Sequence, residues 1–173
     1  VRALAQARHP LRVLLERQPH EPDFALFGHL PSSRDLFLDL GAHAGQSAAS
    51  FHLFQPRWRI LAYEPDPALV PSLRLLTRLL RGRLEWRAEG VGAAEGEGTL
   101  LVPTADGRRL EGEASFDRAS LEEHGPTRQR LVRLADGAPI VLHAVQRTVV
   151  RIDALDLAPG AVKMDLQGGE LAA

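Results

Sequence analysis

The sequence predicts an α/β fold built on a parallel sheet, with a β-rich insertion in its second half. From residue 37 to residue 92, short apolar runs alternate with segments of helical periodicity, the pattern of a parallel sheet with helices on its faces. From residue 98 to residue 158 the alternation stops, and short β-rich segments follow one another between Gly, Pro and Asp turns. A buried run at residues 161–164 then returns to the first pattern, so we expect it to be the fourth strand of the parallel sheet.

The amino-acid composition is typical of a soluble globular protein. The chain has 173 residues, of which 45% are hydrophobic and 25% charged, as is ordinary for one soluble globular domain. A net charge of −1 gives no reason to expect a nucleic-acid or membrane partner, and the lack of cysteine excludes disulfides. The basic residues are 20 arginines and Lys163, a bias typical of a GC-rich genome. Because no membrane-length apolar run or signal-peptide pattern is present, we expect a cytoplasmic protein.

The first 31 residues read as a leading helical segment with a break at Pro10, followed by the main domain at residues 32–173. Within that domain, FLDLGAHAGQSAASF (residues 37–51) predicts a buried strand interrupted by Asp39, a tight loop bracketed by Gly41 and Gly45, and a helix that ends before Pro56. Such a unit presents unpaired helix N-terminal amides to a ligand, which glycine allows to approach closely. We interpret it as a nucleotide-type binding turn.

A second strand is expected at residues 60–63, ending in Glu64. The pair Asp66 and Pro67 predicts a helix start, with Pro71 as an alternative first position. A carboxylate at the tip of the second strand, 23 residues beyond Gly41, is suited to accepting both hydroxyls of a ribose. Capping of the following helix is the alternative role of Glu64.

The helix after this strand is predicted from apolar residues at helical spacing and ends at Gly82. A third strand follows at residues 83–92, with a glycine-rich exit. In the insertion, the sequence favours a short helix near residues 120–123 and β-rich segments at TLLVP, RLVRL, PIVLHAV and RTVVRIDAL.

The glycine loop does not fit a nicotinamide dinucleotide. In the fingerprint G-x-G-x-x-G, the second and third glycines would fall on His43 and Gln46, and a histidine side chain obstructs the approach of a pyrophosphate. A nucleoside ligand without a pyrophosphate fits better, and S-adenosylmethionine (SAM) is the leading example.

Several segments then occur in an informative order: FLDLGAHAGQSAASF, LAYEPDP, a Leu-rich helix, EGVGAAEGEGTLLV, ASF, VVRIDAL and VKMDLQGGE. The last holds the motif K-x-D-x-x-G-x-E as Lys163, Asp165, Gly168 and Glu170. From about Phe37 onward, the chain resembles the FkbM-type class I methyltransferases. The resemblance implies a Rossmann-like class I methyltransferase fold, SAM as cofactor, and methylation of a hydroxyl on a small molecule or sugar.

The resemblance also implies roles for individual residues. The methionine part of SAM would lie against Asp39, Gly41 and Gly45, and Glu64 would hold the ribose. Glu89 stands near the expected adenine site, where the family often carries Asn. The neighbouring positions of the implied cofactor site are Ala42, His43, Gln46, Pro65 and Gly90. The chain departs from the family at His43, in place of a usual Asn, and at Gln167 and Gly169.

Methyl transfer to oxygen requires in-line alignment of donor and acceptor, with a base within reach of the acceptor hydroxyl. Asp165, at the carboxyl end of the fourth strand, is the predicted base, and His143 is a distant second. Structural capping is the alternative for Asp165 and for Glu170. The histidines show no metal-ligand spacing, so no metal site is expected.

The strand order of class I methyltransferases, 3-2-1-4-5-7-6, implies the order 3-2-1-4 here and truncation after strand four. The chain also lacks an initiator Met. We therefore expect a fragment that is inactive alone and poorly stable or associated, because strand four becomes an edge. Two rival functions stay open: a nicotinamide-dependent oxidoreductase, and a non-catalytic binding module with the same fold.

Overall fold

The computed structural model describes residues 7–31, 36–110, 112–123 and 125–167. The chain forms two compact units. The first lies within Val1–Ala88 and Asp156–Met164, and the second within Glu89–Leu155 and Asp165–Ala173. Residues 1–6 of the predicted N-terminal segment, and Gly168, Gly169 and Glu170 of the fourth-strand motif, lie outside the described residues.

The first unit contains a four-stranded parallel sheet. Its strands are β1 (Leu36–Leu40), β2 (Arg59–Tyr63), β3 (Leu84–Arg87) and β8 (Ala161–Met164), in the order β3-β2-β1-β8. Its helices are α1 (Arg8–Glu16), α2 (Gln46–Phe54) and α3 (Val70–Leu79), with 3₁₀ turns at Pro22–His29 and Pro67–Leu69. The predicted order 3-2-1-4 is therefore confirmed, with β8 as the fourth strand.

The core of this unit joins the sheet to its helices through aromatic side chains. Phe37 of β1 and Phe51 of α2 are fully buried and stack with ring centroids 3.9 Å apart. Trp58 and Phe27 pack edge-on against Phe51. Burying one such side chain contributes about 1.5–3 kcal/mol, so this cluster fixes α2, and with it the loop that precedes α2, against β1.

The second unit is built on an antiparallel pair. Its strands are β4 (Gly90–Val91), β5 (Gly96–Ala105), β6 (Arg108–Arg109) and β7 (Ile140–Val150), in the order β4-β7-β5-β6. β5 pairs with β7 from one end to the other, whereas β4 pairs with β7 in parallel. Two helices, α4 (Arg118–Glu122) and α5 (Pro126–Ala135), and a 3₁₀ turn at Ile152–Ala154 complete it. This unit accounts for the predicted β-rich insertion, including its short helix at α4.

Three expectations about the elements are wrong. The segment RLVRL lies in helix α5 rather than in a strand, because Leu131 and Ala135 are one turn apart and both buried. The predicted third strand is two strands, β3 and β4, which belong to different sheets. Pro10 does not break the leading helix, since it lies in the first turn of α1, where no intrahelical N–H bond is lost.

The start of the helix after β2 combines both predicted alternatives. Asp66 caps the Pro67–Leu69 turn by accepting a hydrogen bond from the Ala68 amide at 2.9 Å. The α-helix then begins at Val70, with Pro71 in its first turn.

Candidate functional site

Two loops of the first unit meet at one edge of its sheet. β1 and β2 are parallel neighbours, with Leu40 opposite Tyr63, so the segments that follow them leave the sheet on the same side. The predicted residues at 39–46 and 64–65 are therefore brought together. Direct evidence of this is the backbone amide of His43, which donates to Glu64 Oε2 at 2.8 Å.

Glu64 lies at the tip of β2 with only 7% of its surface exposed. Both carboxylate oxygens accept backbone hydrogen bonds: Oε2 from His43, and Oε1 from Asp66 at 2.8 Å. Burial raises the pKa of Glu64 to about 7, although the two amide bonds oppose that rise. The carboxyl group is thus held in one orientation. Near neutral pH its protonated and ionised forms are about equally populated.

The glycines at the ends of the loop are required by its backbone. Gly41 has φ 77° and Gly45 has φ 97°, in the left-handed region that glycine adopts without steric cost. A Cβ on Gly45 would also lie 2.6 Å from Leu76 Cδ2. His43 has φ 50°, a region in which Asn and His are the enriched non-glycine residues. Histidine is therefore compatible with this backbone conformation.

The amides of this loop are used within the protein. Those of Gly41 and Ala42 both donate to the Tyr63 carbonyl, at 2.9 and 3.0 Å, and that of Gly45 donates to the Ala42 carbonyl at 2.9 Å. With the His43 bond to Glu64, the amides of four loop residues donate to acceptors within the protein. These four residues precede the first turn of α2, so the prediction that amides of the helix N-terminus face a ligand stays a prediction.

Asp39 supplies a second buried carboxylate, on β1. It is 0% exposed, and Ser47 Oγ donates to its Oδ2 at 2.5 Å. Its Oδ1 lies 3.5 Å from Lys163 Nζ and accepts no hydrogen bond from the residues that the structure describes. Burial raises the pKa of Asp39, and the Lys163 ammonium and Ser47 hydroxyl oppose that rise. One oxygen of this carboxylate therefore retains acceptor capacity.

The remaining predicted residues of the first unit flank these two carboxylates. The Gln46 side chain lies 3.2 Å from His43 Nδ1, in the first turn of α2. Pro65 is half-buried between Glu64 and the capping residue Asp66.

Four predicted residues lie in the second unit and are described there. Glu89 is half-buried, next to Gly90 of β4. A Cβ on Gly90 would lie 2.4 Å from the Phe116 ring, so packing requires this glycine. Asp165 is exposed and accepts a hydrogen bond from Gln167 Nε2 at 2.9 Å. His143 Nε2, on β7, lies 3.0 Å from Thr104 Oγ1.

One further buried acid, Glu113, was not predicted from the sequence. Its side chain is 1% exposed, and Oε1 lies 2.7 Å from Arg130 Nε of α5. Burial raises the pKa of Glu113, which Arg130 opposes and the neighbouring Asp165 reinforces. Nothing in the local sequence distinguishes this acid from the exposed ones around it, because its burial depends on α5, which the sequence did not predict.

Comparisons with family models, with curated proteins and with solved structures found no match. Within the described ranges, no three His, Cys, Asp or Glu side chains are grouped so that they would hold a metal ion. None of the helices in the described part of the chain has the length and apolar character of a membrane span.

Proposed function

We propose that this protein is a SAM-dependent methyltransferase of FkbM type, acting on a hydroxyl of a small molecule or sugar. The observation that carries the proposal is the Glu64 carboxylate, fixed by two backbone amides at the tip of β2 beside the glycine loop. A carboxylate oxygen has two lone pairs, so each can accept one further hydrogen bond. The pair of oxygens matches the two adjacent hydroxyls of a ribose.

The second carboxylate supports the same ligand. Asp39 Oδ1 is buried, lies 3.5 Å from the Lys163 ammonium and accepts no hydrogen bond from the described residues, so it keeps the capacity to accept one from a ligand. The α-ammonium group in the methionine part of SAM is a donor of the right charge. The two carboxylates, on neighbouring strands, thus fit the two polar ends of one ligand that carries both a ribose and an amino-acid group.

The loop sequence argues against the nicotinamide alternative. His43 and Gln46 stand where the dinucleotide fingerprint has its second and third glycines, and the His43 side chain obstructs a pyrophosphate. A sulfonium ligand without phosphate needs no such approach.

Bound SAM would supply an electrophilic methyl group for transfer to the acceptor oxygen. In the proposed mechanism, residues of the two loops orient the cofactor through its ribose and amino-acid groups. The proposed base for the acceptor hydroxyl is Asp165, which directly follows β8 in the chain. Its hydrogen bond from Gln167 orients the carboxylate for that step.

Isothermal titration calorimetry of the protein with SAM, S-adenosylhomocysteine and NADH tests the proposal. We expect both sulfur ligands to bind and NADH not to bind. Transfer of a labelled methyl group from SAM to a panel of sugars and small hydroxyl compounds then tests the chemistry. Binding of NADH without SAM would favour an oxidoreductase, whereas SAM binding without transfer to any acceptor would favour a binding module.

A further inference from the structure

Lys163 differs in residue type from the other positively charged residues of this chain, which are arginines. It is the single lysine in a sequence that uses arginine at its other 20 basic positions. It lies on β8, directly opposite Asp39 of β1 in the register of the parallel pair. Its side chain is 21% exposed, which is low for a residue that carries a long charged chain. Both its type and its placement therefore call for a physical reason.

The reason lies in what its ammonium contacts. Lys163 Nζ donates to the Gly41 carbonyl at 2.8 Å and lies 3.5 Å from Asp39 Oδ1. An ammonium is a compact point charge with three donors that rotate, whereas a guanidinium donates in a rigid planar fork. The compact group can serve a backbone carbonyl and a carboxylate at the same time. This explains why the position differs from the other basic positions of the chain.

We propose that Lys163 is a positioning residue that holds the Gly41 carbonyl and the Asp39 carboxylate in the arrangement that receives the amino-acid part of SAM. This inference rests on the proposed function. Gly41 has φ 77°, so the carbonyl that Lys163 binds belongs to a left-handed turn at the entrance of the loop. Without the ammonium, Asp39 would be a buried acid with no counter-charge on β8, and burial would favour its protonated form.

The amino-acid half and the ribose half of the cofactor depend on different residues. Lys163 contacts Asp39 and Gly41, which receive the amino-acid group, and Glu64 receives the ribose. Loss of Lys163 should therefore weaken ligands that have the amino-acid group and spare ligands that lack it. A suitable probe is 5′-methylthioadenosine, which keeps the adenine and the ribose but has no amino-acid group.

The experiment measures SAM and 5′-methylthioadenosine affinities for wild type, Lys163→Met and Lys163→Arg. For Lys163→Met we expect SAM affinity to fall at least tenfold, with 5′-methylthioadenosine affinity changed less than twofold. Lys163→Arg keeps the charge but not the geometry and should fall between. Arg78→Met, which removes an exposed cation from α3, is the matched control and should leave both affinities unchanged.

A second measurement needs no substitution. Because the chain has one lysine, labelling with ¹³C-lysine gives a single Cε signal in a two-dimensional NMR spectrum. We expect that signal to shift on saturation with SAM and to stay in place with 5′-methylthioadenosine. This measurement decides the matter if Lys163→Met does not fold.

The outcomes are distinguishable. If wild type binds SAM, and Lys163→Met binds it equally well or loses both ligands equally, the role of Lys163 is overturned while the proposed function stands. If the Cε signal does not shift in a protein that binds SAM, the role of Lys163 is likewise overturned while the proposed function stands. If wild type binds no SAM at all, the proposed function and this inference both fall.

Discussion

The backbone amide of His43 donates to the Glu64 carboxylate across 21 residues of chain, at 2.8 Å. This bond ties the loop after β1 to the tip of β2, so the carboxyl group has a structural role as well as the proposed ligand role. The ligand role affects the affinity for SAM, and the structural role affects the free energy of unfolding, so the two can be measured separately.

Removing the Glu64 side chain should abolish ribose binding. Hydrogen bonds to a charged group contribute about 1.5–3 kcal/mol each, so losing two should weaken SAM binding by at least about a hundredfold in Glu64→Ala. Glu64→Gln keeps one acceptor and should lose less. Calorimetric titration measures both, and circular dichroism verifies folding. The control is Glu85→Gln, an exposed acid on β3. Unchanged SAM affinity in a folded Glu64→Ala protein would make Glu64 a structural residue only.

The free energy of unfolding should fall as pH rises, because Glu64 loses its proton. Burial raises the pKa of Glu64 to about 7, from its ordinary 4.5, so the folded state holds the proton more tightly than the unfolded state. The stabilisation is complete below about pH 4.5 and is lost as pH rises through about 7. At 1.36 kcal/mol per pH unit, the loss approaches about 3 kcal/mol. Urea unfolding at pH 5 and pH 8 should show this difference in wild type relative to Glu64→Gln. Parallel pH profiles for the two proteins would contradict it.

The affinity for SAM should move in the opposite direction. Ribose hydroxyls donate to the ionised carboxylate, so binding requires Glu64 to be without its proton. With a pKa of about 7, the ionised fraction rises about tenfold between pH 6 and pH 8, and SAM affinity should rise by about the same factor. Titrations at a series of pH values measure this slope. A slope that persists in Glu64→Gln would assign it to another group.

Gly45 should tolerate alanine less well than Gly82. Both have positive φ, 97° and 78°, but a Cβ on Gly45 would lie 2.6 Å from Leu76 Cδ2, whereas nothing lies within 4 Å of one on Gly82. Backbone strain costs about 1–2 kcal/mol in each, and overpacking adds about 1–3 kcal/mol at Gly45 alone. Free energies of unfolding in urea measure the difference. Equal losses would show that Leu76 moves aside at no cost.

In the second unit, Arg130→Met should destabilise the protein, and adding Glu113→Gln should restore most of the loss. The single change leaves the buried Glu113 carboxylate without its partner at 2.7 Å. Because Arg130 is 57% exposed, we expect a loss of about 1–3 kcal/mol, at the lower end of what a buried pair shows. A double-mutant cycle by urea unfolding measures the coupling. Arg133→Met, on the exposed side of α5, is the control. An additive cycle would mean that the two groups do not stabilise each other.

The parallel sheet was predictable because short runs that are rich in apolar residues alternate with segments of helical periodicity and turn residues. Asp39 and Glu64 could be placed at one edge of the sheet for the same reason, since parallel neighbours carry their carboxyl ends on one side. The hydrogen bonds that the loop amides donate could not be predicted from the sequence. Their acceptors, the Tyr63 carbonyl and the Glu64 carboxylate, lie on another strand, and only the folded register brings them within reach.

Helix α5 was not predicted for a different reason. In the sequence RLVRL, apolar and charged residues recur at a spacing that suits either a strand or a short piece of helix. Pro126 at the first turn, the buried pair Leu131 and Ala135, and a left-handed Asp136 at its end identify a helix once they are taken together. Glu113 could not be identified as buried without that helix in place.

The pairing of β1 with β8 has a consequence for how the chain is made. Gly41 and Lys163, which this pairing brings into contact, are 122 residues apart, and translation at 5–20 residues per second separates them by roughly 6 to 24 seconds. During that interval β1 is an edge strand of apolar residues, open to pairing with another chain. Asp39 interrupts that apolar run with a charge. We expect it to protect the nascent edge against aggregation until β8 arrives and Lys163 neutralises it.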